Sequence, residues 1–218
     1  MDVGFRLDSI EELSEWIASM EGLESLRLIS IGKNDRPPKL ELKPLSSLEN
    51  LTDLDLFGNL PALQNDYFPH SIIVLSLWES KLENDPMPIL AKLPNLSDLR
   101  LRLHSYTGKE MVSPSGGFPK LRTLVLWRLE NLETWTVEEG AMPGLNELEI
   151  RCCHNLKELP DKLLNQSKIE KIILTNMEED FATKISKKIL EIQKPIWPVR
   201  CSSCNDYMKQ VSIHSLIY

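Results

Sequence analysis

Apolar residues recur along this chain at steps of three and then two. The pattern is clearest between Gly116 and Pro160, where Leu121, Leu124 and Leu126 are answered by Leu145, Leu148 and Ile150, 24 residues further on. A proline precedes each triplet (Phe118-Pro119-Lys120, Met142-Pro143-Gly144). A further apolar-type pair follows each, Leu129 with Leu132 and Cys153 with Leu156. In an extended strand alternate side chains face opposite ways, so the second and third members of a triplet point to the same side. Triplets begin at Leu23, Leu51, Ile72, Leu96, Leu121, Leu145 and Ile169, at intervals of 28, 21, 24, 25, 24 and 24. One triplet arises by chance in a leucine-rich chain; seven in near-constant phase are a repeat.

One repeat cannot cover its own inward leucines, but stacked neighbours can. The pattern therefore predicts an α/β leucine-rich-repeat solenoid, with a parallel sheet on its concave face and short helices and loops on its convex face. Residues 1–178 read as a solenoid of about seven repeats, 179–194 as a C-terminal capping helix and 195–218 as an irregular tail. Ser9 and Glu12 fit a capping box, and Ile10, Leu13, Ile17 and Met20 then fall on one helical face up to Gly22. This helix reads as the outer half of a repeat whose strand is missing, so the native protein is expected to extend further toward its N-terminus. A truncated or split gene product gives the same pattern. Asp85-Pro86 is a helix start feeding Ile89, Leu90 and Leu93, and Pro160 to Gln166 offers another helical turn. The stretches 33–38 and 105–117 read as exposed loops. Phe181, Ile185, Ile189 and Ile192 share one face of the cap, which hides the last open sheet edge.

Composition narrows the function classes. The chain is 42% apolar and 26% charged with a net charge of −7, which disfavours nucleic-acid partners and anionic membranes. No apolar run approaches the ~20 residues of a membrane span. The acidic start lacks the basic and apolar regions of a secretory signal, so a cytoplasmic setting is expected. His70, His104, His154 and His214 lie in different repeats, with no nucleophile motif or H-E-x-x-H spacing. The carboxylate clusters read as solvated faces. No enzyme activity is expected. Neither phosphate-binding glycine motif occurs, so no nucleotide or other cofactor is expected. Cys201 and Cys204 have zinc-knuckle spacing, and Cys152, Cys153 and His154 complete a formal ligand count. Cys153, however, falls on a half-buried repeat position and the two groups are far apart in sequence, so no metal is expected.

The outward positions carry the strongest functional signal. The seventh position of successive repeats reads Ile29, Phe57, Trp78, Arg102, Trp127, Arg151 and Thr175; the fifth reads Arg27, Asp55, Ser76, Arg100, Val125, Glu149 and Ile173. Aromatic residues and arginine are enriched where proteins hold other proteins. Phe57, Trp78, Arg100, Arg102, Trp127 and Arg151 are therefore the candidate partner-binding residues. Three outcomes are open: a separate protein partner, another domain of the same polypeptide, or simple surface packing in which Trp78 and Trp127 pack on each other or stack with Arg102. On the first two, Trp78→Ala and Trp127→Ala change binding with little loss of folding.

The block from Leu77 to Leu96, with its Asp-Pro-Met-Pro, resembles a known family, as does the Gly116–Pro160 block with its Gly-Gly-Phe-Pro and Ala-Met-Pro lead-ins and Leu-Lys-Glu-Leu-Pro close. Both are similar to the C-terminal repeats of plant intracellular nucleotide-binding, leucine-rich-repeat disease-resistance proteins, especially the coiled-coil type. The resemblance covers roughly Leu7 to Met177. It implies a domain that senses a pathogen effector, or a host protein altered by one, and restrains an intramolecular nucleotide-binding domain when part of a longer chain. The coiled coil, the P-loop and the rest of the nucleotide switch are absent, so these residues alone are expected to recognise or restrain, not to hydrolyse ATP. Two alternatives stand beside this: a free-standing adaptor or decoy, and a ubiquitin-ligase substrate receptor, against which the lack of an F-box-like segment counts.

Overall fold

The inward leucines stack into one continuous ladder. The computed structural model describes residues 2–7, 20, 22–30, 42–166 and 168–191. In chain order the strands are β1 (Asp2–Leu7), β2 (Ser25–Ser30), β3 (Asp53–Phe57), β4 (Val74–Trp78) and β5 (Asp98–Arg102). They continue as β6 (Glu110–Ser113), β7 (Thr123–Trp127), β8 (Thr134–Val137), β9 (Glu147–Arg151) and β10 (Lys171–Thr175). Eight of them form one parallel sheet in the order β1-β2-β3-β4-β5-β7-β9-β10. The register is the one the repeat dictates: Leu54, Leu75, Leu99, Leu124, Leu148 and Ile172 lie side by side, as do Leu56, Leu77, Leu101, Leu126, Ile150 and Leu174. All twelve are buried, and so are the seven residues that open the triplets. Each fully buried leucine contributes roughly 1.5–3 kcal/mol, but only because the neighbouring turn covers it.

The strand expected to be missing is present. β1 pairs with β2 in the common register, Val3 beside Leu26 and Phe5 beside Leu28. Its motif escapes a sequence search because the first apolar position would fall before residue 1. The N-terminal helix through Met20 and the 33–38 loop lie outside the described residues, apart from Met20 itself. So do the 195–218 tail, Ile192 and the side chain of Ile189.

A second correction concerns residues 105–117. This stretch is not an exposed loop. Glu110–Ser113 is a strand, paired in parallel with β8 to form a second, two-stranded sheet. Met111 aligns with Trp135 and Ser113 with Val137, all four buried, and Leu82 and Tyr106 form a separate parallel bridge. Ser105 and Ser113 are fully buried despite their polarity. Ser113 Oγ accepts a hydrogen bond from Trp135 Nε1 at 3.1 Å, and the Tyr106 hydroxyl donates to the Glu110 carbonyl. The return segments are otherwise short helices: α1 (Met87–Leu90), α2 (Asp161–Leu164) and the terminal α3 (Glu179–Glu191). Met87 takes the buried place expected of Ile89, while Leu90 and Leu93 are buried as the pattern implies. Phe181 and Ile185 of α3 join the core.

At the end of the six concave strands from β3 to β10 the chain turns back through a left-handed residue: Gly58, Glu79, Leu103, Arg128, Cys152 and Asn176 all have positive φ. A left-handed turn costs a non-glycine residue about 1–2 kcal/mol, so its recurrence shows how strongly stacking dictates the path.

Charged side chains tie successive return segments together. Glu133 is bridged at 2.8 Å both to Lys109, one repeat earlier, and to Lys157, one repeat later. These hydrogen bonds lower its carboxyl from the ordinary 4.5 to about 2. A carboxyl depressed in the folded state adds stability above its unfolded value and loses it as pH falls through the folded one. Wild type should therefore exceed Glu133→Gln in stability near neutrality, and the gap should close between pH 4.5 and about 2. Denaturant melts across that range measure it. Because the pair is solvent-exposed, the gap should also shrink with added salt.

Candidate functional site

Pairing sets the outward positions in rows. Phe57, Trp78, Arg102, Trp127, Arg151 and Thr175 are successive register partners, and so are Asp55, Ser76, Arg100, Val125, Glu149 and Ile173. The six candidate residues therefore share the concave face, five of them in one row and Arg100 in the next.

The row is not open surface throughout. Trp78 and Trp127 are each only 8% exposed. Their indoles reach across the intervening β5 and meet edge to face, with ring centroids 6.0 Å apart and planes at 72°. Such a pair adds about 0.5–1.5 kcal/mol beyond its burial. Val125 and Cys152 complete a small buried cluster separate from the leucine ladder, with Phe57 and Leu103 packed against it. The Arg102 guanidinium lies over the Trp78 ring, its Cζ 4.6 Å from the centroid, a cation–π stack. The contacts that the sequence left open, Trp78 against Trp127 and against Arg102, are both made in this chain.

Charge on the face is mostly spoken for. Arg27 Nε bonds Asp55 at 3.0 Å, Arg100 bonds Asp98 at 2.9 Å, Arg151 bonds Glu149, and Lys171 bonds Glu147 at 2.7 Å. Neither Asp98, Glu147 nor Lys171 was among the candidates; each occupies the third motif position, which also faces outward and pairs in the same register. Asp98 has its carboxyl raised by burial, although Arg100 works against the shift. Buried polar atoms without a hydrogen-bond partner gather here: Trp78 Nε1, Arg102 Nε, Asp55 Oδ1 and Asp98 Oδ1.

The other candidate chemistries find less support. Cys153 is fully buried, its thiol directed at the Arg151 carbonyl 3.4 Å away, and burial pushes it up to about 12. It is a packed repeat position, unsuited to thiolate chemistry. Among the described residues no three histidine, cysteine or acidic side chains gather as metal ligands, and Cys201 and Cys204 lie outside those residues. His104 sits between Glu79 at 3.5 Å and Glu130 at 3.2 Å, and His154 lies 3.3 Å from Glu178. No helix among the described residues is long and apolar enough to cross a membrane.

The concave face thus carries self-paired charges around a buried aromatic cluster. The model for the leucine-rich repeat region matches residues 5–179, and the chain belongs to that family. Within it, the chain is similar to plant disease-resistance proteins. It is 42% identical over 157 residues to "Probable disease resistance protein RF9" of Arabidopsis thaliana, covering 72% of this chain and 15% of that one. It is 40% identical over 157 residues to "Probable disease resistance protein RDL5", with the same coverage. With "Disease resistance RPP8-like protein 3" it shares 35% identity over 162 residues, 74% of this chain and 18% of that one. The chain thus spans less than a fifth of the length of these relatives.

Proposed function

We propose that this chain is the ligand-sensing part of a plant immune receptor, holding a pathogen effector or a modified host protein against its concave face by protein–protein contact. In a longer polypeptide the same module restrains a nucleotide-binding domain. The observation that carries the reading is the uninterrupted concave sheet, rich in arginine and aromatic residues, in a chain similar over most of its length to disease-resistance proteins. Binding rather than catalysis is the mode of action, and the cytoplasm its setting. A ligand can release such a restraint only by binding the active state more tightly than the resting one.

Proximity labelling in plant cells tests this with the chain as it stands and with Arg27→Glu and Ile173→Glu. The Arg27 side chain is 49% exposed and Ile173 is half-buried, and both sit at outward fifth positions away from the tryptophan cluster. Each variant should lose a discrete set of labelled proteins that Lys162→Glu, on α2 of the convex side, retains. Each should stay folded, with only a small fall in melting temperature from the like charge placed opposite Asp55 or Glu149. Retention of every labelled protein by both concave variants would sink the reading.

A further inference from the structure

Within the face just described, one charge stands apart. Burial and the neighbouring Arg100 weigh against the Arg102 cation, while Asp55, Glu149 and Asp98 favour it from a distance. Each of those three acids, however, is already bonded to an arginine of its own, Arg27, Arg151 and Arg100. Arg102 forms no ion pair among the described residues, and its Nε has no acceptor. The pairs around it cancel, so it leaves one uncompensated positive charge at the middle of the row.

Its surroundings fix its geometry. Stacking on Trp78 holds the guanidinium plane, and Trp127 backs Trp78 from β7, two strands along the sheet. A planar, pre-positioned guanidinium presents paired N–H donors that match a carboxylate, and little side-chain entropy remains to be lost on binding. Low dielectric beside two indoles strengthens the contact. Large apolar side chains contribute little exposed surface here: among the described residues only Ile73 is exposed, at 41%, and it precedes β4 rather than lying in the row. Recognition at this point is thus a matter of charge more than of grease. The −7 net charge of the whole chain does not oppose an acid here, since charges beyond about 8 Å are screened at physiological salt.

We propose that Arg102, stacked on Trp78 and backed by Trp127, is the seat for an aspartate or glutamate side chain of the protein that occupies the concave face. This rests on the reading of that face given above.

A random-peptide display library panned against the whole chain supplies the probe. Peptides whose binding is lost with Ile173→Glu should carry an acidic residue at a recurring position. Replacing that residue by its amide, or making Arg102→Gln, should each weaken binding about tenfold or more, the scale of a charge-assisted hydrogen bond. Combining the two should add little, since they remove one interaction. Arg102→Lys keeps the charge but not the planar fork, and should fall between. Because the peptide-side change leaves the chain untouched, misfolding of an Arg102 variant cannot mimic the result. Ile173-sensitive peptides with no required acid, or a cycle in which the two losses add, overturn this proposal and leave the concave reading standing. Selected peptides insensitive to both Ile173 and Arg102, or no enriched peptides at all, overturn both.

Discussion

Trp127→Ala should lower the stability of the isolated chain by about 3 kcal/mol, at the lower end of the range for removing a buried aromatic side chain. For a domain of this size that is a fall in melting temperature of about 6–12 °C. The indole is 8% exposed, meets Trp78 edge to face at 6.0 Å, and closes a cluster with Val125 and Cys152. Removing it leaves Trp78 without its backing and Arg102 without a fixed platform. That burial argues against the expectation that this change spares folding, since an outward-facing position need not be an exposed one. Trp127→Phe keeps an apolar ring and should recover roughly half the loss. Since solenoid stability is set by neighbouring turns, hydrogen exchange should quicken first in β5, β7 and β9. Unchanged melting with Trp127→Ala would mean that the indole is free surface, available to a partner directly.

How the tryptophans sit marks the boundary of what the residues alone disclose. Period two fixes which way a side chain leaves the sheet, so the row from Phe57 to Thr175 was legible in full. It does not fix where a long side chain goes next. Trp78 and Trp127 bend across β5 because Arg102 between them offers a flat cation on which one ring stacks. That depends on rotamers, which repeat spacing does not encode.

The fold was read from the same periodicity, and its two gaps have separate causes. β1 lost its first motif position to the start of the numbering. β6 was hidden by composition, since the glycines and serines of 105–117 suggest a loop. A partial signal was present: Thr-Trp-Thr-Val at 134–137 alternates with period two, and Glu-Met-Val-Ser lies 24 residues before it, the repeat length itself, with polar Ser113 where an apolar residue would complete the alternation. A buried serine in such an alternation is tolerable because Trp135 gives it a hydrogen bond. The positive-φ position after the concave strands from β3 onward was marked by glycine only at Gly58; elsewhere stacking imposes it on Glu79, Arg128 or Asn176 regardless of propensity.

Asp85→Ala should be about as damaging, by roughly 2–4 kcal/mol, although no leucine is lost. The sequence marks Asp85 as a helix cap, and its Oδ1 does accept the Met87 amide at 2.9 Å at the start of α1. Its Oδ2 accepts a second amide, that of Val112 in β6, at 2.7 Å. One carboxylate thus joins the return segment of one repeat to the second sheet in the next. Alanine would strand both donors in partly buried positions, which costs more than the bonds themselves contribute. Burial raises the carboxyl above its ordinary 3.8 despite the two N–H donors. An acid raised by folding contributes stability that is full below its unfolded value and declines as pH rises through the folded one. Asp85→Asn, which keeps one acceptor, should therefore lose least relative to wild type near neutrality and most in acid. Denaturant melts of the three proteins at several pH values measure both effects. An alanine variant as stable as wild type would show that β6 and α1 are held together without this carboxylate, by apolar contacts such as those of Met87 and Met111.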